Sequence, residues 1–257
     1  KQIARMSHGN QKLLTPHSIN KYLGSIGMAF KYAVNHGLMT ENYAAGKRVK
    51  DPVKARDKRS VFAPSEVDKI ICAATEKKDK KPDLFWLLLI GAYSGMRLGE
   101  ICQLQPEDIW VERGICVFDV NENHELKSCK NSGSKRIVPV HSKILAEGLL
   151  DFVDSKAGQE WLFGWKYHDT NGWSHYSSKA ANYLIKKTAG IELKTFHCFR
   201  HTVADVLMKD RKITKELQEA VLGHSHSGQS YGRYGKGFNV AELQDAVEAI
   251  VYLEEKM

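Results

Sequence analysis

Four polar clusters in this chain of 257 residues are hard to explain as packing, and each carries side chains that could act on a phosphate. The first is SGMRLGE, residues 94 to 100, where Arg97 interrupts an otherwise apolar pair of segments. An arginine in such a place needs an anionic partner, either internal or bound. Glu100, three residues on, is the candidate internal partner.

The second cluster, TFHCFRHTVADVL at residues 195 to 207, opens a predicted helix. His197, Arg200 and His201 are at positions i, i+3 and i+4, so they share one face near the positive end of the helix dipole. Two histidines four apart could suggest a metal, but the glutamate of an HExxH motif is absent and no third ligand is evident. We therefore predict that Arg200 and the helix N-terminus hold an anion, without a metal.

The third cluster is LGHSHSGQSYGRYGKG, residues 222 to 237, with His224 upstream of Tyr231 and Tyr234. A loop this polar has no packing use for two phenols, so either they bind something or one of them reacts. The fourth cluster, KSCKNSGSKR, places four basic residues around an Asn-Ser-Gly turn: Lys127, Lys130, Lys135 and Arg136.

Taken together, these side chains are typical of a site that binds one phosphodiester and cleaves it by nucleophilic attack. Phosphoryl transfer spreads negative charge over the non-bridging oxygens, and two guanidinium forks stabilise that charge. Tyrosine, with a pKa of about 10, needs a base or local positive charge to act as a nucleophile. A histidine supplies the base, and a lysine on a hairpin could protonate the leaving 5′ oxygen.

The composition is that of a soluble globular protein, and its charge fits either a nucleic-acid partner or an ordinary solvated basic surface. The formal net charge is +8, and residues 239–257 hold five acids against one lysine, which leaves +12 on residues 1–238. Such an excess is expected of a protein that binds a phosphate backbone. The five cysteines are scattered, and no segment is typical of a signal peptide or a membrane span, so we expect a reducing, cytoplasmic location.

Two helical regions and a short sheet are predicted to position these clusters. Thr15-Pro16 begins a long amphipathic helix that ends near Gly37, and a basic linker follows it. Further helices are predicted from about residue 62 to 75, over 83–93, from Leu98 toward Pro106, and over 142–154, 177–189, 197–209, 214–223 and 239–254. Residues 114–120, a segment near 125–130 and residues 135–141 predict a small antiparallel sheet.

The order of the motifs resembles that of a tyrosine recombinase of the phage integrase family: SGMRLGE, a hairpin lysine, HCFRH, LGH, then a tyrosine. The resemblance implies an α+β fold, mainly helical with a small antiparallel sheet. It also implies four segments: 1–46, the C-terminal part of a helical core-binding domain; 47–60, a basic interdomain linker; 61–238, the catalytic domain; and 239–257, a C-terminal helix.

Carried onto this sequence, the resemblance assigns the catalytic set Arg97, Lys130, His197, Arg200, His224 and Tyr234. Lys127 is the alternative lysine, because the register of the hairpin is not visible. Tyr234 lies ten residues after His224, as family members usually place the nucleophile, whereas Tyr231 lies seven after it. Glu100 would support the site rather than react.

The implied reaction gives a 3′-phosphotyrosyl intermediate and a free 5′ hydroxyl, with no ATP, metal or other cofactor. The implied partners are double-stranded DNA, further copies of this chain in a tetramer, and accessory DNA-bending or directionality proteins. The implied outcome is integration or excision of a mobile element. An apolar stripe on the C-terminal helix, ending at Ile250 and Val251, docks on a neighbouring protomer in this hypothesis. Its alternative is packing against its own domain.

Two competing functions stay open on the sequence. A type IB topoisomerase uses similar chemistry, although the preceding helical segment and the LGH motif favour a recombinase. A sequence-specific DNA-binding protein could keep the fold without the chemistry, although the complete residue set argues against it. A covalent adduct would exclude the second function, and strand exchange would exclude the first.

Overall fold

The computed structural model describes residues 14–51, 60–130, 134–223 and 237–252. It divides the chain into two compact units, Lys1–Lys58 and Arg59–Met257. The helices are α1 (Pro16–Asn35), α2 (Pro64–Thr75), α3 (Pro82–Ser94), α4 (Leu98–Cys102), α5 (Ser142–Ala146), α6 (Leu149–Asp154), α7 (Ser174–Tyr183), α8 (His197–Lys209), α9 (Lys215–Leu222) and α10 (Val240–Glu248). The strands are β1 (Ile109–Glu112), β2 (Ile115–Val120) and β3 (Arg136–Pro139). The predicted α+β class is confirmed.

The first unit is built around α1, which begins as the sequence predicts. Thr15 caps the helix, since its Oγ1 accepts a hydrogen bond from the backbone N–H of Ser18 at 3.2 Å, and Pro16 occupies the first turn. The chain after the helix returns to it, where Asn20 exchanges two hydrogen bonds with the backbone of Val49. None of the helix residues is buried, and Ile19, Leu23 and Phe30 of its apolar stripe are only half-buried.

The core of the second unit forms around α3, which is apolar on every side and is buried as such a helix must be. Helices α2, α7 and α8 each pack against α3. Gly91 of α3 lets the ring of Phe196 lie directly against the helix backbone, where a Cβ atom would collide with that ring. This contact brings the start of α8 beside α3. Among the described residues, no helix is long and apolar enough to cross a membrane.

The sheet is three-stranded and antiparallel, in the order β1-β2-β3. Strand β2 lies in the centre, with Phe118 opposite Val138 and Val120 opposite Arg136. The sequence prediction missed β1 and was wrong for the segment near 125–130, which forms no strand. Backbone N–H groups of that segment and of Asn123 bind side chains instead of a neighbouring strand: Asn123 to Asn121, Leu126 to His124, Ser128 to Gln103 and Cys129 to Glu122.

Several predicted helices differ from the observed ones. The helix predicted over 142–154 is split into α5 and α6, because Gly148 between them adopts a left-handed conformation with φ 88°. The helix predicted over 239–254 ends at Glu248. The segment predicted over 177–189 begins earlier, at Ser174, and its last turn, Leu184–Thr188, is a π-helix.

The apolar stripe of α10 is covered within its own unit. Val247 and the following Ile250 are fully buried, and α10 packs against α9 and β3. Beyond the helix, Nε2 of His141 donates to the carbonyl of Ile250 at 3.1 Å, and the hydroxyl of Tyr252 donates to the carbonyl of Ala92 at 2.5 Å. Only Val251 of the stripe is exposed. The stripe therefore packs against its own domain, which was the alternative to docking on a neighbouring protomer.

Candidate active site

Arg97 begins α4, two residues after the turn that ends α3. Gly95 makes that turn in a left-handed conformation, where its missing Cβ leaves room for Val203 and Leu222. The guanidinium of Arg97 donates to Glu100 Oε1 at 2.5 Å, and its backbone N–H donates to Glu100 Oε2 at 2.9 Å. The internal ion pair that the sequence left open is therefore present. Arg97 nevertheless keeps 19% of its side chain exposed, so it can also reach a bound anion.

Glu100 is shared with a second arginine, which lies on β3. Arg136 donates to both carboxylate oxygens of Glu100, at 2.9 and 3.3 Å, and is almost completely buried. Burial alone would raise the pKa of Glu100, but the charge and hydrogen bonds of Arg136, together with Arg97, lower it to about 2. Glu100 is therefore ionised at neutral pH and orients two guanidinium groups at once.

Arg200 projects from α8 into the same region. Its guanidinium donates to the carbonyl of Gly95 at 3.0 Å and to the carbonyl of Leu222. Burial lowers the pKa of Arg200 to about 9, with further contributions from the charges of Arg97 and Arg136. The group stays protonated at neutral pH. Three arginines and a single carboxylate leave this cluster with an excess of positive charge, which favours a bound anion.

The three arginines hold three consecutive carbonyl groups at the end of α9. Arg136 Nε donates to Val221 at 2.8 Å, Arg200 to Leu222, and Arg97 to Gly223 at 3.3 Å. The last carbonyls of a helix have no partner within the helix and carry the negative end of its dipole, so cations suit this position. The end of α9, directly before the segment with His224, Tyr231 and Tyr234, is thus held by three arginines, two of which, Arg97 and Arg200, are candidates for binding the phosphate.

The two candidate lysines differ in what their ammonium groups contact. Lys127 is buried and donates to Asp108 Oδ2 at 2.7 Å, Asp108 Oδ1 at 2.9 Å and Asn121 Oδ1 at 3.1 Å. Lys130 is exposed and lines, together with Arg97, a cavity of about 200 Å³. Because Lys127 is engaged inside the protein, the surroundings favour Lys130 as the lysine of the site.

His197 lies at the start of α8, within reach of the same charges. The residue is exposed, but partial desolvation of its ring lowers its pKa, and the charges of His201, Arg200, Arg97 and Lys130 lower it further. The imidazole is therefore neutral at pH 7 and able to accept a proton. His201 contacts it ring to ring, with centroids 4.8 Å apart. In the described ranges there is no group of three or more His, Cys, Asp or Glu side chains that could hold a metal ion.

Sequence reasoning placed Arg97, His197 and Arg200 in one site; the charges of both arginines act on His197, and the two arginines hold neighbouring carbonyls, those of Gly223 and Leu222. His224, Tyr231 and Tyr234 lie outside the described residues. Sequence reasoning missed the buried role of Arg136, which it counted among the basic residues of a turn. Alternation along the strand could have revealed it, because Arg136 shares a face with Val138 and Val140, both of which are buried.

We expect Glu100→Gln to change how stability depends on pH. A carboxyl whose folded-state pKa is lowered from 4.5 to about 2 stabilises the fold above the unfolded-state value, and this contribution is lost as the pH falls toward 2. The contribution is roughly 3 kcal/mol. Urea unfolding of both proteins should show a difference in free energy that shrinks between pH 5 and pH 2. A difference that does not depend on pH would contradict the ion pair.

We expect Asp108→Ala to destabilise the fold strongly. The substitution leaves the ammonium of Lys127 buried without its carboxylate partner, and breaking a buried pair in this way costs roughly 3–5 kcal/mol. Glu107→Ala is the matched control, since Glu107 is exposed and a neighbour in sequence, and it should change stability by less than about 0.5 kcal/mol. Equal effects of the two variants would show that Lys127 does not depend on Asp108.

Comparisons with known proteins bear on the family of this chain. The model of the phage integrase family matches residues 60–236. The tyrosine recombinase XerA of Thermococcus kodakarensis is 27% identical over 260 residues, covering 98% of this chain and 82% of the relative. The XerA of Pyrococcus horikoshii is 26% identical over 242 residues, covering 92% and 75%.

Solved structures share the fold at lower identity. A lambda integrase tetramer bound to a Holliday junction superposes with a TM-score of 0.57 and 21% identity, covering 83% of this chain and 60% of that chain. An integrase from mycobacterium phage Brujita gives 0.53 and 14%, covering 97% and 76%. The match to the family model spans more than half of the sequence. This chain therefore belongs to the phage integrase family of tyrosine-type site-specific recombinases, as the order of its motifs predicts.

Proposed function

We propose that this protein cleaves and rejoins DNA through a covalent 3′-phosphotyrosyl intermediate on Tyr234. The observation that carries the proposal is the arginine cluster at the end of α9. Arg97 and Arg200 bring positive charge to one place and also hold the carbonyls of Gly223 and Leu222, directly before the segment with the tyrosines. In this proposal the same two arginines bind the phosphate and hold the backbone that leads to the nucleophile.

The chemistry follows from the surroundings of each group. The phenol oxygen of Tyr234 attacks the phosphorus, the bond from phosphorus to the 5′ oxygen breaks, and a phosphotyrosyl ester forms. Neutral His197 accepts the phenol proton, and Lys130 gives a proton to the leaving 5′ oxygen. Arg97 and Arg200 stabilise the charge on the non-bridging oxygens. The ester keeps the energy of the broken bond, so rejoining needs no ATP.

The 5′ hydroxyl of one duplex then attacks the phosphotyrosyl ester on another, which exchanges strands between two sites. We propose that four copies of this chain carry out the exchange on two duplexes, and that the exchange integrates or excises a mobile element. The lambda integrase of similar fold is described as a tetramer bound to a Holliday junction. The formal net charge of +8 favours binding to the DNA backbone.

The proposal is tested by trapping the intermediate. A recombination site is first selected from random DNA, and a duplex is made with a nick that releases the 5′ hydroxyl as a short fragment, so that rejoining fails. The adduct is digested, and mass spectrometry locates the modified residue. A nucleotide on Tyr234 is the expected result. A nucleotide on Tyr231 would refute the choice of nucleophile, and specific binding without any adduct would refute catalysis.

A further inference from the structure

Arg136 is a buried cation that the proposed reaction does not use. It begins β3 opposite Val120, and 7% of its side chain is exposed. A charged group this deeply buried is tolerated only when its donors are paired. Its donors must therefore be paired with groups of the protein, because little water reaches them.

The contacts of Arg136 join three parts of the site. Nε donates to the carbonyl of Val221 at 2.8 Å, and Nη1 donates to the carbonyl of Ser134 at 2.8 Å. Nη1 and Nη2 also donate to the carboxylate of Glu100, at 3.3 and 2.9 Å. A guanidinium is planar and rigid, so these bonds fix α4, β3 and the end of α9 relative to one another. With its donors engaged in this way, Arg136 is not available to a phosphate.

The chain that leaves α9 lies directly against this guanidinium. A Cβ atom on Gly223 would come within 2.7 Å of Arg136 Nη1 and 3.0 Å of its Cζ. Gly223 also has φ 64°, a conformation that favours glycine. The backbone therefore turns over the face of Arg136 at Gly223, the residue before His224.

We propose that Arg136 is a positioning residue for cleavage, which fixes the end of α9 and thereby the approach of the tyrosine-bearing segment to the phosphate. The inference rests on the proposed function, because it assigns the nucleophile to that segment. Arg136 contacts neither the phosphate nor the phenol in this scheme. Its effect is on the rate of attack and not on the affinity for DNA.

The test compares Arg136→Gln and Arg136→Lys with the unchanged protein on the nicked duplex. A displacement of about 1 Å at a reacting group can cost about 100-fold in rate. We therefore expect Arg136→Gln to lower the cleavage rate at saturating duplex by about 100-fold while the Kd changes by less than about threefold. Arg136→Lys keeps a charge beside Glu100 and preserves the fold, but it lacks the fork, so it should restore only part of the rate.

Two further variants separate position from charge. Arg113→Gln removes the same charge at the exposed turn between β1 and β2 and should leave the cleavage rate unchanged. Gly223→Ala displaces the same guanidinium without changing any charge, so it should lower the rate as Arg136→Gln does. Gly190→Ala is its control, since Gly190 has φ 74° but no atom within 4 Å of its added Cβ.

Hydrogen exchange gives a readout without DNA. In Arg136→Gln, we expect amides at the end of α9, residues 220–223, to exchange faster, while those of α3 and β2 keep their protection. Faster exchange throughout the protein, or a loss of DNA affinity equal to the loss of rate, would overturn the positioning role. If the unchanged protein forms no adduct, the proposed function fails, and the exchange data still decide whether Arg136 holds the end of α9.

Discussion

Tyr234→Phe is expected to abolish the covalent adduct with DNA, and Tyr231→Phe to retain it. The substitution removes one oxygen, the atom that would bond to phosphorus, and changes the ring very little. Loss of a nucleophile lowers the rate by roughly 10⁴-fold or more. Gel separation of adduct from free protein on the nicked duplex measures the effect. Filter binding of the same variants should give Kd values within about threefold of each other, since the phenol contributes to attack rather than to uniform binding.

Tyr231→Phe is the matched control, because it removes the same atom from the same segment three residues away. Retained adduct with Tyr231→Phe and none with Tyr234→Phe would identify the nucleophile. Adduct in both single variants and none in the double variant would mean that either phenol can attack. An adduct that survives the double variant would place the nucleophile elsewhere in the chain.

The sequence predicted the helices best where their ends carry strong local signals. Thr15 and Pro16 mark the start of α1, and α8 has the predicted limits, His197 to Lys209. The break at Gly148 could not be recognised, because glycine within an apolar pattern is compatible with a helix as well as with a turn. Strand β1 was missed because its four residues have too short a pattern to distinguish from a loop.

The order of the motifs predicts the candidate active-site groups, but the surroundings of these groups depend on tertiary contacts. The sequence favours Lys130 but leaves Lys127 open, and only the position of Asp108, in the 3₁₀ turn Pro106–Asp108 before β1, shows that Lys127 is engaged in the interior. In the same way, Arg136 looks like a surface residue of a basic turn until Glu100 and Val221 are placed beside it. Burial of charge is decided by partners far away in the chain, which local patterns do not reveal.

Arg200→Ala is expected to lower the cleavage rate at saturating DNA by roughly 10³-fold or more. The guanidinium is buried and already oriented by the carbonyls of Gly95 and Leu222, so its charge needs little reorganisation when the phosphate becomes more negative. Lys209→Ala, at the exposed end of the same helix, removes one charge and should leave the rate unchanged. Single-turnover cleavage on the nicked duplex measures both.

The dependence of binding on salt separates the two roles of Arg200. A residue that neutralises a phosphate contributes about 0.9 to the slope of log affinity against log salt concentration, so Arg200→Ala should flatten that slope by about this amount. A lower rate with a flattened slope fits direct contact with the scissile phosphate. A lower rate with an unchanged slope would mean that Arg200 acts only by holding the end of α9. Unchanged cleavage at saturating DNA with a raised Kd would mean that it stabilises bound DNA and the transition state equally, since such binding leaves the chemical step unaffected.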